Sequence, residues 1–379
     1  MSNQELNQTP AAVKTEAYVE VDKNMLIETV VNEPDIKYYD VRKEKTFSLY
    51  NFYEPYTEPT FHRLPIEVAA NTNPGVVKLE QESAGGRVRF STDSQYIAIR
   101  AIIPVVGRNS HMTLIQSAGF DLYLDSATDS RFIKAFIPPV KMTAGYEQII
   151  RFGSRKMRYF TIHFPLHSRV SNLEIGLQED AVLGGEMPYR NKKPIVIYGS
   201  SIVHGTGACR PGMAYTNIIA RRMGMNVLNY GFSGNAKAEP AICNWLAEQE
   251  MCCFVSDYDH NAPNPEHLAA THRPLYDTIR AKHPDIPYIM ISKPNLATNI
   301  CEANEKRKDI ILDTYRYARN LGDKNVYYID GESFFMGKYE YECTLDSVHP
   351  NDLGFILMAD GIEDTIRIAL ANAGWKDGD

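Results

Sequence analysis

The sequence predicts an α/β protein of two domains, in which an antiparallel β-sandwich precedes a parallel sheet flanked by helices. Residues 26–185 carry short apolar runs that alternate with polar residues and are divided by Gly, Asp, Ser and Pro. Residues 192–379 carry near-continuous apolar runs separated by segments of helix length. A chain of 379 residues is also long for one domain. The polar residues 1–25 show neither pattern.

The predicted sandwich depends on four runs, which begin at positions 86, 111, 131 and 157: GRVRFSTDSQYIAIRAIIP, HMTLIQSAGFDLYLDS, RFIKAFIPP and MRYFTIHFP. Their alternation is typical of strands that bury one face, and almost no convincing helical stretch lies between them. Many short strands with turn residues between them predict a sandwich or jelly roll. GFDLY, within the second run, is predicted to be a strand with a bulge that packs at the domain interface.

In the second half, five buried strands alternate with helices. The strand-like runs are PIVIYG, NVLNYGFSG, CCFVSDYD, IPYIMISKP and NVYYIDG. Strand and helix alternating five times indicate a parallel, doubly wound sheet. The glycines and charges of QEDAVLGGEMPYRNKKP indicate the boundary between the two halves.

Composition excludes several partners. Lys and Arg total 40 against 47 Asp and Glu, a net charge of −7 without a basic run, which argues against nucleic acid and anionic membranes. No apolar run approaches the roughly 20 residues of a membrane span. The six cysteines contain no CxxC pair, so free thiols are expected and structural zinc is not. The polar start lacks the apolar core of a signal peptide, so a cytoplasmic location is expected; the sequence leaves open whether the chain forms a homo-oligomer.

The segment GSSIVHGTG follows the first parallel strand, at the sheet edge where ligands bind. Three interpretations compete: a phosphate loop, a turn that presents a nucleophilic serine, and a plain connection. Gly205 and Gly207 begin a G-x-G-x-x-G pattern, but Arg210 stands where the third glycine is required. Dinucleotide binding is therefore excluded, and the adjacent hydroxyls of Ser200 and Ser201 remain.

A nucleophilic serine needs a base and an acid that orients it. Two D-x-x-H patterns occur, Asp257 with His260 and Asp346 with His349. The first ends an extended run, where side chains three apart point in different directions. The second precedes Pro350 and an amphipathic helix, where an acid and a base three apart can lie side by side. Asp346 and His349 are the favoured pair.

Donors for a developing oxyanion follow the next two strands. NYGFSGN ends one strand with glycines whose backbone N–H groups can approach a ligand, and DYDHNA ends the next with the amide of Asn261. The acidic residues and histidine of DYDHNA do not predict a metal site, because adjacent strand residues seldom converge on one ion.

The blocks GSSI, GFSGN, DYDHNA and DSVHP, in this order, resemble those of the SGNH (GDSL-like) hydrolases. With RPGMAYTN and with GFDLY at 119–123, the chain resembles the GxDLY, SsfX3-like subgroup, in which a β-sandwich precedes the hydrolase domain. The resemblance implies a three-layer, flavodoxin-like α/β/α domain and a reaction that needs neither a metal nor an organic cofactor. GSSI departs from GDSL, and DYDHNA lacks the glycine that usually precedes the asparagine.

By this resemblance Ser201 is the nucleophile, His349 its base and Asp346 the orienting acid. The oxyanion hole combines the N–H groups of Ser201 and Gly234 with the Asn261 amide. Two further candidates for substrate contact remain, although loop packing is the simpler interpretation of both: Ser200 and His204.

The expected function is a serine esterase that removes a short acyl group, with acetyl as the expected group, from a small-molecule or oligosaccharide substrate, with the sandwich as a candidate carbohydrate-binding domain. Three alternatives stay open: an acyltransferase acting on a sugar or polyketide hydroxyl, a non-catalytic carbohydrate-binding protein, and a phosphodiesterase or metal-dependent hydrolase.

Overall fold

The apolar runs of the first half pair into two antiparallel sheets with a common core. The computed structural model describes residues 27–294, 301–337 and 339–379. The strands are β1 (Ile36–Asp40), β2 (Ser48–Tyr50), β3 (Arg87–Thr92), β4 (Tyr96–Ile102), β5 (Phe120–Asp125), β6 (Ser130–Phe136), β7 (Gly145–Arg151), β8 (Arg158–His163), β9 (Asn172–Gln178) and β10 (Leu183–Gly184). One sheet has the strand order β1-β9-β4-β7, and the other has the order β10-β3-β8-β5-β6 with β2 also paired to β3. Side chains from both sheets meet in one apolar cluster, as expected of a sandwich.

The first half also contains helices that the sequence pattern did not predict. They are α1 (Ile66–Thr72), α2 (Pro74–Leu79) and α3 (Leu114–Ala118), the last within a run expected to be a strand. Local caps stabilise two of them: Asn73 accepts a hydrogen bond from the Val76 N–H (2.9 Å), and Thr113 accepts one from the Gln116 N–H (3.1 Å). The apolar residues of α1 and α2 pack in a core of the second half, so their partners are invisible in the local sequence.

The second half forms the predicted parallel sheet, whose strands are β11 (Ile195–Gly199), β12 (Val227–Gly231), β13 (Cys253–Asp257), β14 (Tyr288–Ile291) and β15 (Val326–Ile329). Their order in the sheet is β12-β11-β13-β14-β15. Its helices are α4 (Ser201–His204), α5 (Tyr215–Met223), α6 (Pro240–Ala247), α7 (Pro265–Lys282), α8 (Glu302–Asn320) and α9 (Asp352–Asn372). Ile195 and Ile197 pack against α5 and α9, whereas Val196 and Tyr198 pack against α6, α7 and α8. Three layers result, as predicted.

The strand order also locates the site. β11 comes first along the chain but lies between β12 and β13, so connections leave it in opposite directions. A crevice opens at the carboxyl end of the strand at such a switch point. The segment that follows β11 therefore occupies the usual ligand position of this fold.

The GFDLY segment joins the sandwich to the loop after α4. The Asp121 carboxylate accepts hydrogen bonds from the Arg210 guanidinium (2.8 Å) and the Gly212 N–H (2.7 Å), and Arg210 also donates to the Tyr123 hydroxyl (2.5 Å). A Cβ on Gly212 would lie 2.3 Å from that hydroxyl, so only glycine fits there. The pairing of β5 with β6 shifts register between Leu122 and Tyr123. Both expectations for this segment, a bulge and packing at the interface, are confirmed.

Two expectations from composition concern the whole chain. All six cysteines are free thiols. Within the described ranges, no helix combines the length and apolarity needed to cross a membrane.

Candidate active site

The turn after β11 presents Ser201 at the carboxyl edge of the sheet. Ser200 is the N-cap of α4, and its hydroxyl accepts a hydrogen bond from the Ile202 N–H (3.2 Å). Ser201 is the first helical residue, so its own N–H has no acceptor within the helix. Gly205 ends the helix at φ +107°, a conformation that favours glycine. This short helix leaves both the hydroxyl and the N–H of Ser201 available at the edge.

The structure brings Ser201, His349 and Asp346 into one chain of hydrogen bonds. Ser201 Oγ lies 2.9 Å from His349 Nε2, although the two residues are 148 positions apart. His349 Nδ1 lies 2.7 Å from Asp346 Oδ2. Because an ionised carboxylate only accepts, the ring proton is on Nδ1, and Nε2 is free to accept the serine proton. A hydroxyl, a base and an orienting acid are thus aligned.

The turn before α9 holds the acid and the base together. Asp346 Oδ1 accepts hydrogen bonds from the N–H groups of His349 (2.7 Å) and Val348 (3.0 Å), and Ser347 between them has φ +66°. Burial by itself would raise the pKa of Asp346, but the hydrogen bonds from His349 and Val348 outweigh it and lower that pKa below its ordinary value. The carboxylate therefore stays ionised beside the imidazole.

Two further donors face the same space. Gly234, in the loop after β12, has φ +71°, and no heavy atom of the described residues beyond its two chain neighbours lies within 4 Å of the position its Cβ would take. Asn261 Oδ1 accepts a hydrogen bond from the Ala236 N–H (3.2 Å), which leaves the Asn261 amide N–H₂ as a donor. Both residues line a cleft together with Ser201.

This cleft has a volume of about 800 Å³ and lies between the two halves of the chain. The catalytic side contributes Ser201, Gly234, Asn261 and His349. The sandwich half contributes the opposite wall: Lys78, Glu82, Arg108, His111, His167 and Arg169 are among its residues. The His111 ring centroid lies 6.1 Å from that of His349. Sequence reasoning missed this wall, because its residues come from α2 and from several separate loops and form no motif along the chain.

Two family models match most of the chain. Residues 192–367 match the GDSL-like lipase/acylhydrolase family, and residues 36–183 match the GxDLY family, described as the N-terminus of SGNH-hydrolase-type esterases. The chain belongs to the SGNH (GDSL-like) hydrolases. It is accordingly a carboxylic ester hydrolase.

Solved structures show the same two-part architecture. A GDSL-like lipase of Bacteroides ovatus ATCC 8483, whose function is itself inferred, is 29% identical with a TM-score of 0.80, covering 89% of this chain and 98% of that one. The salicylyl-acyltransferase SsfX3 from a tetracycline biosynthetic pathway is 18% identical with a TM-score of 0.73, covering 90% and 99%. An acetyl xylan esterase from the rumen bacterium Butyrivibrio proteoclasticus is 10% identical with a TM-score of 0.57, covering 89% and 99%. The last two show a common fold only. Comparison with curated proteins gave no match.

Two candidate contacts of this SGNH hydrolase need correction, because neither Ser200 nor His204 lines the cleft. Both are fully buried. His204 Nε2 donates to the Leu166 carbonyl (2.7 Å), and Nδ1 accepts from the Ser233 hydroxyl (3.2 Å). Burial lowers the pKa of His204 to about 4, so the ring is neutral at physiological pH. The four-residue α4 turns this ring towards the sandwich, where it supports the loop that contains Gly234.

The second D-x-x-H pair is not an acid–base couple. Asp257 is buried and accepts a hydrogen bond from the Tyr215 hydroxyl (2.9 Å), and burial raises its pKa to about 7. The neighbouring Asp259 pairs instead with Arg307 (3.2 Å). His260 lines the cleft, where burial lowers its pKa to about 3. These side chains do not converge on one point.

A different cluster, Glu82 with His167 and His204, brings three possible ligand atoms within 4.8 Å of one another. Glu82 Oε2 lies 3.3 Å from His167 Nδ1 and 3.2 Å from His204 Nε2. The two imidazoles stack at 4.2 Å, and His204 Nε2 already donates to Leu166. A metal could bind only by displacing that hydrogen bond, so the cluster is better described as a hydrogen-bonded link between the two halves.

Proposed function

We propose that this hydrolase is a serine esterase that removes a short acyl group, acetyl in particular, from a carbohydrate-like alcohol. The hydrogen-bonded series Ser201–His349–Asp346, at the edge of a cleft, supports this proposal. The alignment matters because a serine hydroxyl is a weak nucleophile without an adjacent base.

In the proposed reaction Ser201 Oγ attacks the ester carbonyl while His349 Nε2 takes the hydroxyl proton. Asp346 stabilises the imidazolium that forms. The tetrahedral intermediate collapses, His349 returns the proton to the leaving alcohol, and an acyl-serine remains. Water then attacks this ester with His349 again acting as the base, and the acid is released.

The negative oxygen of both intermediates would lie against three donors: the N–H groups of Ser201 and Gly234 and the amide of Asn261. Each is held by the local backbone or by a second hydrogen bond, so little reorganisation is needed when the charge develops. Preorganised donors of this kind commonly contribute on the order of 10²–10³ in rate.

The size and position of the cleft support a sugar ester. A volume of about 800 Å³ exceeds what an acetyl group needs, so most of the space is available for the alcohol. An acetyl xylan esterase shares the fold and motivates the choice of acyl group and alcohol.

The first experiment measures release of p-nitrophenol from its acetate ester. Ser201→Ala should abolish turnover, whereas Ser200→Ala, which removes only a helix cap, should keep substantial activity. Undiminished turnover by the Ser201 variant would refute the assignment. A panel of acetylated oligosaccharides and of esters with longer acyl chains, analysed by mass spectrometry, then identifies the acyl group and the alcohol.

A second candidate is acyl transfer from the same acyl-enzyme to a sugar or polyketide hydroxyl, favoured by the fold shared with a salicylyl-acyltransferase over 90% of this chain. Analysis of the products formed in the presence of an added alcohol distinguishes hydrolysis from acyl transfer. Transfer that outcompetes water in excess would favour the transferase.

A further inference from the structure

The wall of the cleft that faces Ser201 carries an excess of positive charge. Lys78, Arg108 and Arg169 all line the cleft. None of the three forms an ion pair with any residue in the described ranges, although the chain as a whole has a net charge of −7. Unpaired cations therefore concentrate at the site in a protein that has more acidic than basic residues.

Arg169 is the least exposed of the three. Its backbone N–H donates to the Val105 carbonyl (3.0 Å), and the two residues form a β-bridge at the cleft wall. Its side chain is partly buried, and Nε is shielded from solvent without a hydrogen-bond partner among the described residues. A buried guanidinium N–H that lacks an acceptor is costly, which favours an acceptor supplied by a ligand.

The acid present in the cleft does not supply this acceptor. Glu82 is the only carboxylate among the described residues that line it, and its Oε2 contacts His167 and His204. Burial would raise the pKa of Glu82, but the hydrogen bonds from these histidines lower it far below its ordinary value. Glu82 is thus ionised and already occupied, and three cations face one carboxylate.

We propose that the cleft binds an ester whose alcohol part carries an anionic group, and that Arg169 is the principal residue that binds it. The anion is a carboxylate, as on an acidic sugar, or a phosphate, as on a sugar phosphate. Arginine suits both, because its planar fork can donate two parallel hydrogen bonds. The ester would lie at Ser201 and the anion at the opposite wall, so charge would select the alcohol. This proposal rests on the proposed function for the cleavage of the ester at Ser201, and it adds the chemical class of the alcohol.

The test compares kcat/KM for an acetylated methyl glucuronoside with that for its methyl ester, which has nearly the same shape but no charge. Wild-type enzyme should prefer the acid by about 10- to 100-fold, the range of one hydrogen bond to a charged group. The preference should weaken with added salt. A third arm uses an acetylated sugar phosphate, and a stronger preference for it would identify phosphate as the anion.

Arg169→Gln should reduce the ratio between charged and neutral esters to near one. Arg316→Gln, which removes an exposed guanidinium on α8 outside the cleft, should keep the wild-type ratio. If Arg169→Gln does not fold, the wild-type enzyme alone tests the proposal, through its ratio of kcat/KM for the charged ester to that for the neutral ester and the salt dependence of that ratio. An unchanged ratio in a folded Arg169 variant, or equal wild-type rates on charged and neutral esters, would overturn the inference.

Calorimetry on the Ser201→Ala protein separates this inference from the proposed function. If the variant binds the acidic ester but not its methyl ester, and the wild type turns over neither, the esterase proposal is refuted and the anion site stands. Turnover without charge-selective binding would refute the anion site and keep the esterase.

Discussion

Replacing Asp346 with asparagine tests how the carboxylate controls the His349 ring. In the native turn Oδ2 faces Nδ1 at 2.7 Å, while Oδ1 accepts from the N–H groups of His349 and Val348. Asparagine keeps one oxygen, which those two backbone donors should retain, so its NH₂ group would face Nδ1. The ring would then carry its proton on Nε2, the atom that must accept the proton of Ser201.

Two losses determine the magnitude. The imidazolium loses a hydrogen bond to a charged partner, about 1.5–3 kcal/mol, and the ring must also change tautomer before it can act as a base. The Asp346 side chain is 36% exposed, so water can replace part of the lost stabilisation. We therefore expect kcat to fall by about 10²- to 10³-fold, which corresponds to about 3–4 kcal/mol in the activation free energy.

The assay is kcat and KM for p-nitrophenyl acetate, with thermal unfolding measured in parallel. Asp346→Asn should leave KM and the melting temperature nearly unchanged, because the backbone hydrogen bonds of the turn persist. Asp360→Asn, at an exposed carboxylate on α9, is the matched control and should keep native rates. An Asp346→Asn enzyme within about threefold of native kcat, well under one kcal/mol, would refute the tautomer argument.

Three other predictions concern different parts of the molecule. Asn261→Ala removes a proposed oxyanion donor and should lower kcat by about 10²-fold with little change in KM; a change confined to KM would contradict that role. Asp121→Ala leaves the Arg210 guanidinium without its partner at the domain interface, so calorimetry should show a loss of about 3 kcal/mol, whereas Asp129→Ala at an exposed ion pair should show almost none. Burial lowers the pKa of His272 from 6.5 to about 3, so only the unfolded chain gains this proton as the pH falls through that window. Acidification to about pH 5 should therefore cost roughly 2 kcal/mol for this residue, and His272→Gln should flatten the decline in melting temperature; equal slopes would contradict it.

The periodicity of apolar residues was sufficient for the two kinds of sheet. Alternation in one half and continuous apolar runs in the other reflect whether a strand buries one face or both, which is a local property. The same reasoning failed for α1 and α2, whose apolar residues pack against a sheet encoded more than a hundred positions later. It also left a substrate contact open for His204 beside the favoured interpretation of loop packing, because sequence cannot tell in which direction a one-turn helix points its side chains.

Sequence alone determined which runs form each kind of strand, the serines that follow the first parallel strand and the D-x-x-H spacing of Asp346 and His349, because each depends on neighbours along the chain. Tertiary structure alone decided that Ser201 meets His349 across 148 positions, and that the sandwich supplies the cationic wall facing them. A hydrogen bond or a charged cleft depends on distances of a few ångströms between distant segments, and only the packing of the two halves sets those distances.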